Sequence, residues 1–282
     1  MKRHLIPSLL TIVFSVLFIV PVILLLIQAS IPAEEAALVA RGVSPTKLWP
    51  SSFSLEQFSI LFSAYGDFWR RFCHDLIWCT AISLVQVFLS IVDGYILAKY
   101  KNRLVSILTI VFTLAMMIPI QIFLIPTYRI AQGLGIVNRS FILYFPLAFT
   151  PLGTLLMRQI SLRVPDEWIE FLRLEGGGFP QLLVYVLMPH CKLPASVVFL
   201  ISFVECWGMV EQPLILLTNK AAYPLSMLLY EMRISQPQVL YAASTVTLIP
   251  ILMLLLFLLL RHSAGNAVKL KKASVSASIH ER

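Results

Sequence analysis

The chain of 282 residues is strongly apolar, with 59% hydrophobic and only 13% charged residues, and its formal net charge is +8. Several apolar runs approach the roughly 20 residues that a membrane-spanning helix needs, which excludes an ordinary soluble protein. The basic residues are scattered among short connections and helix ends, which indicates membrane orientation and argues against nucleic acid as a partner. We therefore expect an all-α, polytopic membrane protein.

The apolar run Leu5–Gln28 predicts the first membrane-spanning helix. A Lys-Arg pair precedes it, as in a secretory signal peptide, but the run exceeds the roughly 7–15 residues of a signal core. An uncleaved helix is therefore the favoured interpretation. A polar stretch follows, in which Ser54 is a suitable helix N-cap and Gln57, three residues later, completes the pattern of a capping box.

Five further apolar runs predict five more spans: Leu76–Ala98, Leu104–Ile125, Ser140–Met157, Leu193–Leu217 and Val239–Leu260. The chain then divides into a first helix with an external loop (residues 1–72), a core (73–265) that contains a polar loop (159–192), and a polar tail (266–282). With both termini in the cytoplasm, most of the 22 Lys and Arg residues fall in cytoplasmic segments, as the positive-inside rule requires. The polar loop would then also lie in the cytoplasm.

The polar loop predicts a helix, a sharp glycine corner and a second helix. Pro165 suits a first helical position, and acidic residues follow it at the positive end of the helix dipole. Trp168, Phe171 and Leu172 lie three and four residues apart, so we expect them to share one exposed apolar face. The three glycines from Gly176 to Gly178 should end this helix.

This loop resembles that of the membrane subunits of ATP-binding-cassette importers of the carbohydrate type. That family has Glu-Ala-Ala, three variable residues, then Gly, with Leu-Pro further on. The matching residues here are Glu170, Gly176 and Met188-Pro189. Phe171-Leu172 replaces Ala-Ala and Gly177-Gly178 replaces Ala-Ser, so the resemblance implies a roomier groove in the ATPase.

The resemblance implies a type I importer permease fold with six transmembrane helices in the cell membrane, surrounded by lipid. It implies import of a sugar or oligosaccharide together with a second permease subunit, two ATPase subunits and an extracytoplasmic solute-binding protein. The expected coupling residues, which contact the ATPase, are Glu170, Phe171, Leu172, Glu175 and Gly176. The chain has no phosphate-binding loop motif, so we expect no cofactor in it and ATP in the partner subunit.

Polar residues inside predicted spans are costly and mark a candidate substrate pathway. Glu205 falls near the centre of the fifth predicted span beside Trp207, and an acid with an aromatic ring suits a sugar. Glu211 and Gln212 follow, and one helix from Glu205 to Gln212 would span about 10 Å of a cavity wall. The alternative role for Glu205 is a helix–helix hydrogen bond with the partner subunit.

Other function classes stay open at this stage or are disfavoured. A permease for a non-sugar solute, such as a peptide or a polyol phosphate, would show the same pattern. Inverted repeats would favour a secondary transporter or channel that works alone, and the sequence shows none. The sequence contains no catalytic motif, and its four cysteines form no Cys-x-x-Cys pair, so we expect neither an enzyme nor a metal site.

Overall fold

The computed structural model describes residues 17, 19–46, 48–49 and 52–280, with side chains as far as residue 260. The described segments contain helices and connections and no β-strand. The helices are α1 (Ile19–Ala29), α2 (Ala33–Ala40), α3 (Glu56–Ala64), α4 (Gly66–Lys99), α5 (Arg103–Ala115), α6 (Gln121–Gly133), α7 (Ser140–Tyr144), α8 (Pro151–Ser161), α9 (Asp166–Leu174), α10 (Phe179–Trp207), α11 (Glu211–Leu216), α12 (Leu225–Ser235) and α13 (Leu240–His280). The all-α class is confirmed.

Four helical segments are long and apolar enough to cross a membrane: α4, Ser140–Ser161, α10 and Pro237–Leu260. The shorter apolar helices α1 and α5 overlap the first and third predicted spans. Residues 5–16 and 18 of the first predicted span lie outside the described part of the chain. The last helix continues beyond its predicted end at Leu260 to His280.

The third predicted span, Leu104–Ile125, is wrong as a single helix. The chain leaves the helical conformation after Ala115 and resumes it at Gln121. Pro119 lies in this break, and a proline disfavours the helical conformation of the residue before it and cannot donate to the preceding turn. We call residues Met116–Ile120 the break segment.

The boundaries of the fifth predicted span are also wrong. The helix begins at Phe179 and not at Leu193, because the second helix of the polar loop runs without interruption into the membrane span. A π-helical turn at Leu182–Leu187 directly precedes Met188-Pro189, and such a turn accommodates a proline that would disrupt a regular helix. The helix ends at Trp207, before Gly208, and not at Leu217.

The chain forms two compact units. One contains the described residues up to His74 together with Pro224–Pro250, and the other contains Asp75–Tyr223 and the chain from Ile251 onward. In the first unit the buried Gln57 side chain donates hydrogen bonds to the carbonyl oxygens of Gln28 (2.7 Å) and Ile31 (2.9 Å). The predicted capping box is therefore wrong, because the Gln57 side chain joins α3 to the end of α1 and to the connection that follows it.

In the second unit α4, α8 and α10 approach each other at small residues. A Cβ atom on Gly94 of α4 would lie 2.6 Å from the Met157 Cβ of α8, which is too close for any side chain. Gly153 of α8 similarly faces Ser90 and Val198. Small residues permit this close backbone approach, which is the usual means of packing helices in a membrane. This packing brings the ends of α4 and α8 against α9.

Candidate functional site

The helix α9 presents an apolar ridge on its outer face. Trp168, Phe171 and Leu174 are 52, 65 and 86% exposed, and their spacing of three residues aligns them along the helix. Glu170 and Glu175 are exposed beside them. Three large apolar side chains projecting together from a short helix are typical of a surface that another protein covers.

The inner face of α9 packs on the core of the second unit, to which α9 itself belongs. Ile169 is buried, and Leu172 packs against the same core cluster, which includes Tyr95 and Leu187. The expectation that Leu172 is exposed on one face with Trp168 and Phe171 is therefore wrong. At 3.6 residues per turn Leu172 lies about 40° from Trp168 and about 60° from Ile169, at the border between the two faces, and its side chain packs on the core.

The corner after α9 depends on two glycines for two different reasons. Gly176 has φ +77°, a conformation that L-residues rarely adopt, and its N–H donates to the Arg173 carbonyl (3.0 Å). The Gly177 N–H donates to the Leu172 carbonyl (2.8 Å), which completes a Schellman motif. A Cβ atom on Gly177 would lie 2.7 Å from the Leu172 side chain. The corner therefore has a fixed geometry and leads directly into α10.

The start of α9 is held by the end of α4. The Lys99 ammonium donates hydrogen bonds to the Val164 carbonyl (2.6 Å) and to the Asp166 carboxylate (2.6 Å). The hydrogen bond from Lys99 holds the pKa of Asp166 below its ordinary value. The Trp168 ring of α9 also contacts the His190 ring of α10 edge-on, with ring centroids 5.0 Å apart. The helix α9 is thus joined to both α4 and α10.

A separate cavity of about 290 Å³ lies within the second unit, at the far end of α10. Its polar lining comes from Gln86, Thr150 and Glu205, and the break segment forms an apolar wall. The Gln86 amide nitrogen donates a hydrogen bond to the Thr150 hydroxyl. The amide oxygen of Gln86 is buried and has no hydrogen-bond partner in the structure.

The predicted pathway residues do not share one wall. Glu205 lines the cavity, whereas Trp207 is buried and stacks on Phe203 with ring centroids 5.5 Å apart. Because the helix ends at Trp207, Glu211 and Gln212 belong to α11, and the expected continuous wall from Glu205 to Gln212 is wrong. The Glu211 carboxylate accepts a hydrogen bond from the Gln121 amide (2.7 Å).

Sequence reasoning missed Gln86 and Thr150. The signal for Gln86 was present, because an amide in the middle of a long apolar run is itself unusual. Thr150 carried no comparable signal, since a threonine hydroxyl can be satisfied by the backbone of its own helix. Among the described residues no group of three His, Cys, Asp or Glu side chains is arranged to hold a metal ion.

Comparison with known proteins gives a family and a fold. The family described as binding-protein-dependent transport system inner membrane component matches residues 90–268. The arabinooligosaccharides transport system permease protein AraQ of Halalkalibacterium halodurans is 24% identical over 95% of this chain and 98% of its own length. The sn-glycerol-3-phosphate transport system permease protein UgpE of Escherichia coli (strain K12) is 23% identical over 74% of this chain and 77% of its own.

The fold has a solved counterpart. It resembles a chain from the crystal structure of a bacterial ABC transporter involved in the import of the acidic polysaccharide alginate, with a TM-score of 0.73. The likeness covers 89% of this chain and 92% of that chain at 16% sequence identity.

Proposed function

Because the chain belongs to the family of inner membrane components of binding-protein-dependent transport systems, we propose that it is a permease subunit that imports a sugar or oligosaccharide. The family consists of transport components, and ATP hydrolysis in these systems belongs to a separate subunit. Similarity to an arabinooligosaccharide permease over nearly the full chain supports the sugar class.

The observation that carries this proposal is the apolar ridge on α9. Trp168, Phe171 and Leu174 enter a groove of an ATPase subunit, and Glu170 and Glu175 lie at the rim of that contact. Leu172 and Gly176 support this contact indirectly: Leu172 packs α9 against the core, and Gly176 forms the corner at the end of the helix. A buried aromatic centre with a charged rim is the usual anatomy of a protein–protein contact.

The continuity of α10 suggests how force reaches the membrane. This helix has 29 residues and is therefore about 43 Å long. Its first residue follows the glycine corner, and its last turns carry Glu205 at the cavity. A displacement of α9 by the ATPase moves one end of a rigid rod whose other end lines the cavity. Such helix displacement is a recognised form of conformational switching.

The complete importer has further components in this proposal. A second, related permease pairs with this chain. Two ATPase subunits bind α9 of this chain and the corresponding helix of the second permease, and a solute-binding protein delivers the ligand from outside. Both termini and α9 lie on the cytoplasmic side in this proposal, which the excess of Lys and Arg in those segments supports. ATP is bound by the partner subunits and not by this chain.

The ridge is tested by removing its apolar side chains. We expect the double variant Phe171→Ala, Leu174→Ala to bind the ATPase at least about 30-fold more weakly, because central aromatic and apolar anchors contribute 2 kcal/mol or more. The measurement is co-purification of the ATPase with the tagged permease. Ile234→Ala is the matched control, since Ile234 is 81% exposed on α12. Undiminished co-purification of the double variant would contradict the proposal.

A polyol phosphate is the second candidate substrate, and similarity to the sn-glycerol-3-phosphate permease favours it. The binding protein that works with this chain distinguishes the two candidates. A calorimetric screen of that protein against neutral oligosaccharides and polyol phosphates identifies the class that it delivers.

A further inference from the structure

The cavity at the end of α10 offers a ligand one accessible hydrogen-bond acceptor. The Gln86 side chain is only 3% exposed, and its amide oxygen is itself buried, with no partner among the described residues. Its amide nitrogen is occupied by Thr150, so Gln86 belongs to the cavity wall, and the exposed Glu205 carboxylate is the acceptor that a ligand can reach. The Glu205 carboxylate lines the same cavity and can accept several hydrogen bonds.

The cavity also lacks positive charge. None of its described lining residues is Lys, Arg or His. A carboxylate only accepts hydrogen bonds, so a ligand that supplies donors is favoured at Glu205. A ligand that brings a negative charge meets the Glu205 carboxylate without a compensating cation among the described lining residues.

We propose that this cavity is a subsite for a neutral polyhydroxylated ligand, whose hydroxyls donate to the Glu205 carboxylate, and that it discriminates against phosphorylated or uronate ligands. The inference rests on the proposed transport function and sharpens its substrate class. The cavity is close to the lower end of the roughly 300–1,000 Å³ range of ligand pockets, which suits one sugar ring at a time. The apolar break segment offers a surface for the C–H face of the ring.

The charge preference of the cavity can be measured without the binding protein. Leu156 lines the cavity and is 37% exposed, so Leu156→Cys places a reporter thiol there. Cys73 is the exposed native cysteine among the described residues and is replaced by Ser, while Cys79, Cys191 and Cys206 are buried. The reconstituted importer is then treated with cationic and anionic thiol reagents of equal size.

We expect the cationic reagent to react on the order of tenfold faster, because one nearby carboxylate at intermediate dielectric has an effect of this size. Glu205→Gln should bring the two rates close to equality. Ser202→Ala is the matched control, since Ser202 is buried one turn earlier on α10 and does not line the cavity. Ile118→Cys serves as the reporter if Leu156→Cys does not assemble.

Ligand protection tests the hydroxyl recognition. Arabinotriose should slow the labelling several-fold at a concentration where a triuronate or sn-glycerol-3-phosphate has no effect. Glu205→Leu removes the accessible acceptor and should abolish the protection. The double variant Gln86→Leu, Thr150→Val removes two groups of the wall that bond each other and should leave the protection in place.

Failure of the subsite proposal and failure of the proposed transport function give different results. Faster reaction of the anionic reagent, equal protection by anionic ligands, or no protection by arabinotriose would each overturn the subsite while binding-protein-stimulated ATP hydrolysis stays intact. Loss of that stimulation in the unmodified importer would instead contradict the transport function itself.

Discussion

Gly177 illustrates how a single backbone position controls the coupling corner. A Cβ atom there would meet both the side chain and the carbonyl oxygen of Leu172, at 2.7 and 2.8 Å. We expect Gly177→Ala to open the corner and to reduce uptake strongly while the protein still inserts into the membrane. Uptake by whole cells, normalised to permease in the membrane, is the measurement.

Gly178→Ala is the matched control, because its Cβ atom would meet only ordinary contacts at 3.4 and 3.7 Å. Gly176→Pro should be at least as damaging as Gly177→Ala, because proline cannot adopt φ +77° and lacks the N–H that bonds Arg173. Normal uptake by either damaging variant would contradict a rigid corner.

Lys99 is the second residue whose role can be tested alone. Its pair with Asp166 lowers the pKa of that carboxyl, so the contribution of the pair is present above the ordinary aspartate pKa and is lost as pH falls through the lowered value. We therefore expect backbone hydrogen exchange at the start of α9, corrected for its intrinsic pH dependence, to be constant from about pH 5 to pH 8.

Removal of the cation itself should have a larger effect. Lys99→Met also removes the hydrogen bond to the Val164 carbonyl, and exchange at the start of α9 should rise severalfold at neutral pH. Asp166→Asn should change it little, because Asp166 is 71% exposed and its ion pair is screened. A larger effect of Asp166→Asn than of Lys99→Met would refute this order.

At the scale of the element, the approach of α4 to α8 sets the position of α9. Gly94 is the contact point, and a methyl group there would lie 2.6 Å from Met157 and 2.7 Å from the Arg158 nitrogen. Gly94→Ala should destabilise the protein by about 1–3 kcal/mol, as overpacking does. The thermal midpoint of the purified complex measures this effect. Gly133→Ala should leave it unchanged, because nothing lies within 4 Å of that position.

The helix ends show where prediction from sequence fails at this scale. Hydropathy located the apolar runs, but Pro119 divided the third predicted span, whereas Pro189 did not interrupt the helix that runs from the polar loop into the fifth. The two prolines differ in how the surrounding helix accommodates the proline ring. A π-helical turn before Pro189 keeps α10 continuous, and such a turn depends on packing that a local sequence window does not contain.

At the scale of the whole molecule, the apolar runs were sufficient to predict an all-α membrane protein, because barrel strands are short and alternate in polarity, whereas long uninterrupted apolar runs cross lipid as helices. Spacing alone also placed Trp168 and Phe171 together on the exposed face of α9, whereas the assignment of coupling residues came from the family resemblance and stays a prediction. The cavity could not be predicted from the sequence, because Gln86, Thr150 and Glu205 come from three separate helical regions. Only the packing of α4, α8 and α10 brings them together.

The central claim is that α9 faces the cytoplasm, where an ATPase covers its ridge. The most direct test is labelling of Leu174→Cys with a membrane-impermeant thiol reagent in a Cys73→Ser background, with Ile234→Cys as the external control. We predict that Leu174→Cys is unreactive in intact cells, reacts in inverted vesicles stripped of ATPase, and is protected when the ATPase is restored. Ile234→Cys should show the opposite sidedness. Reaction of Leu174→Cys from outside intact cells would contradict the account.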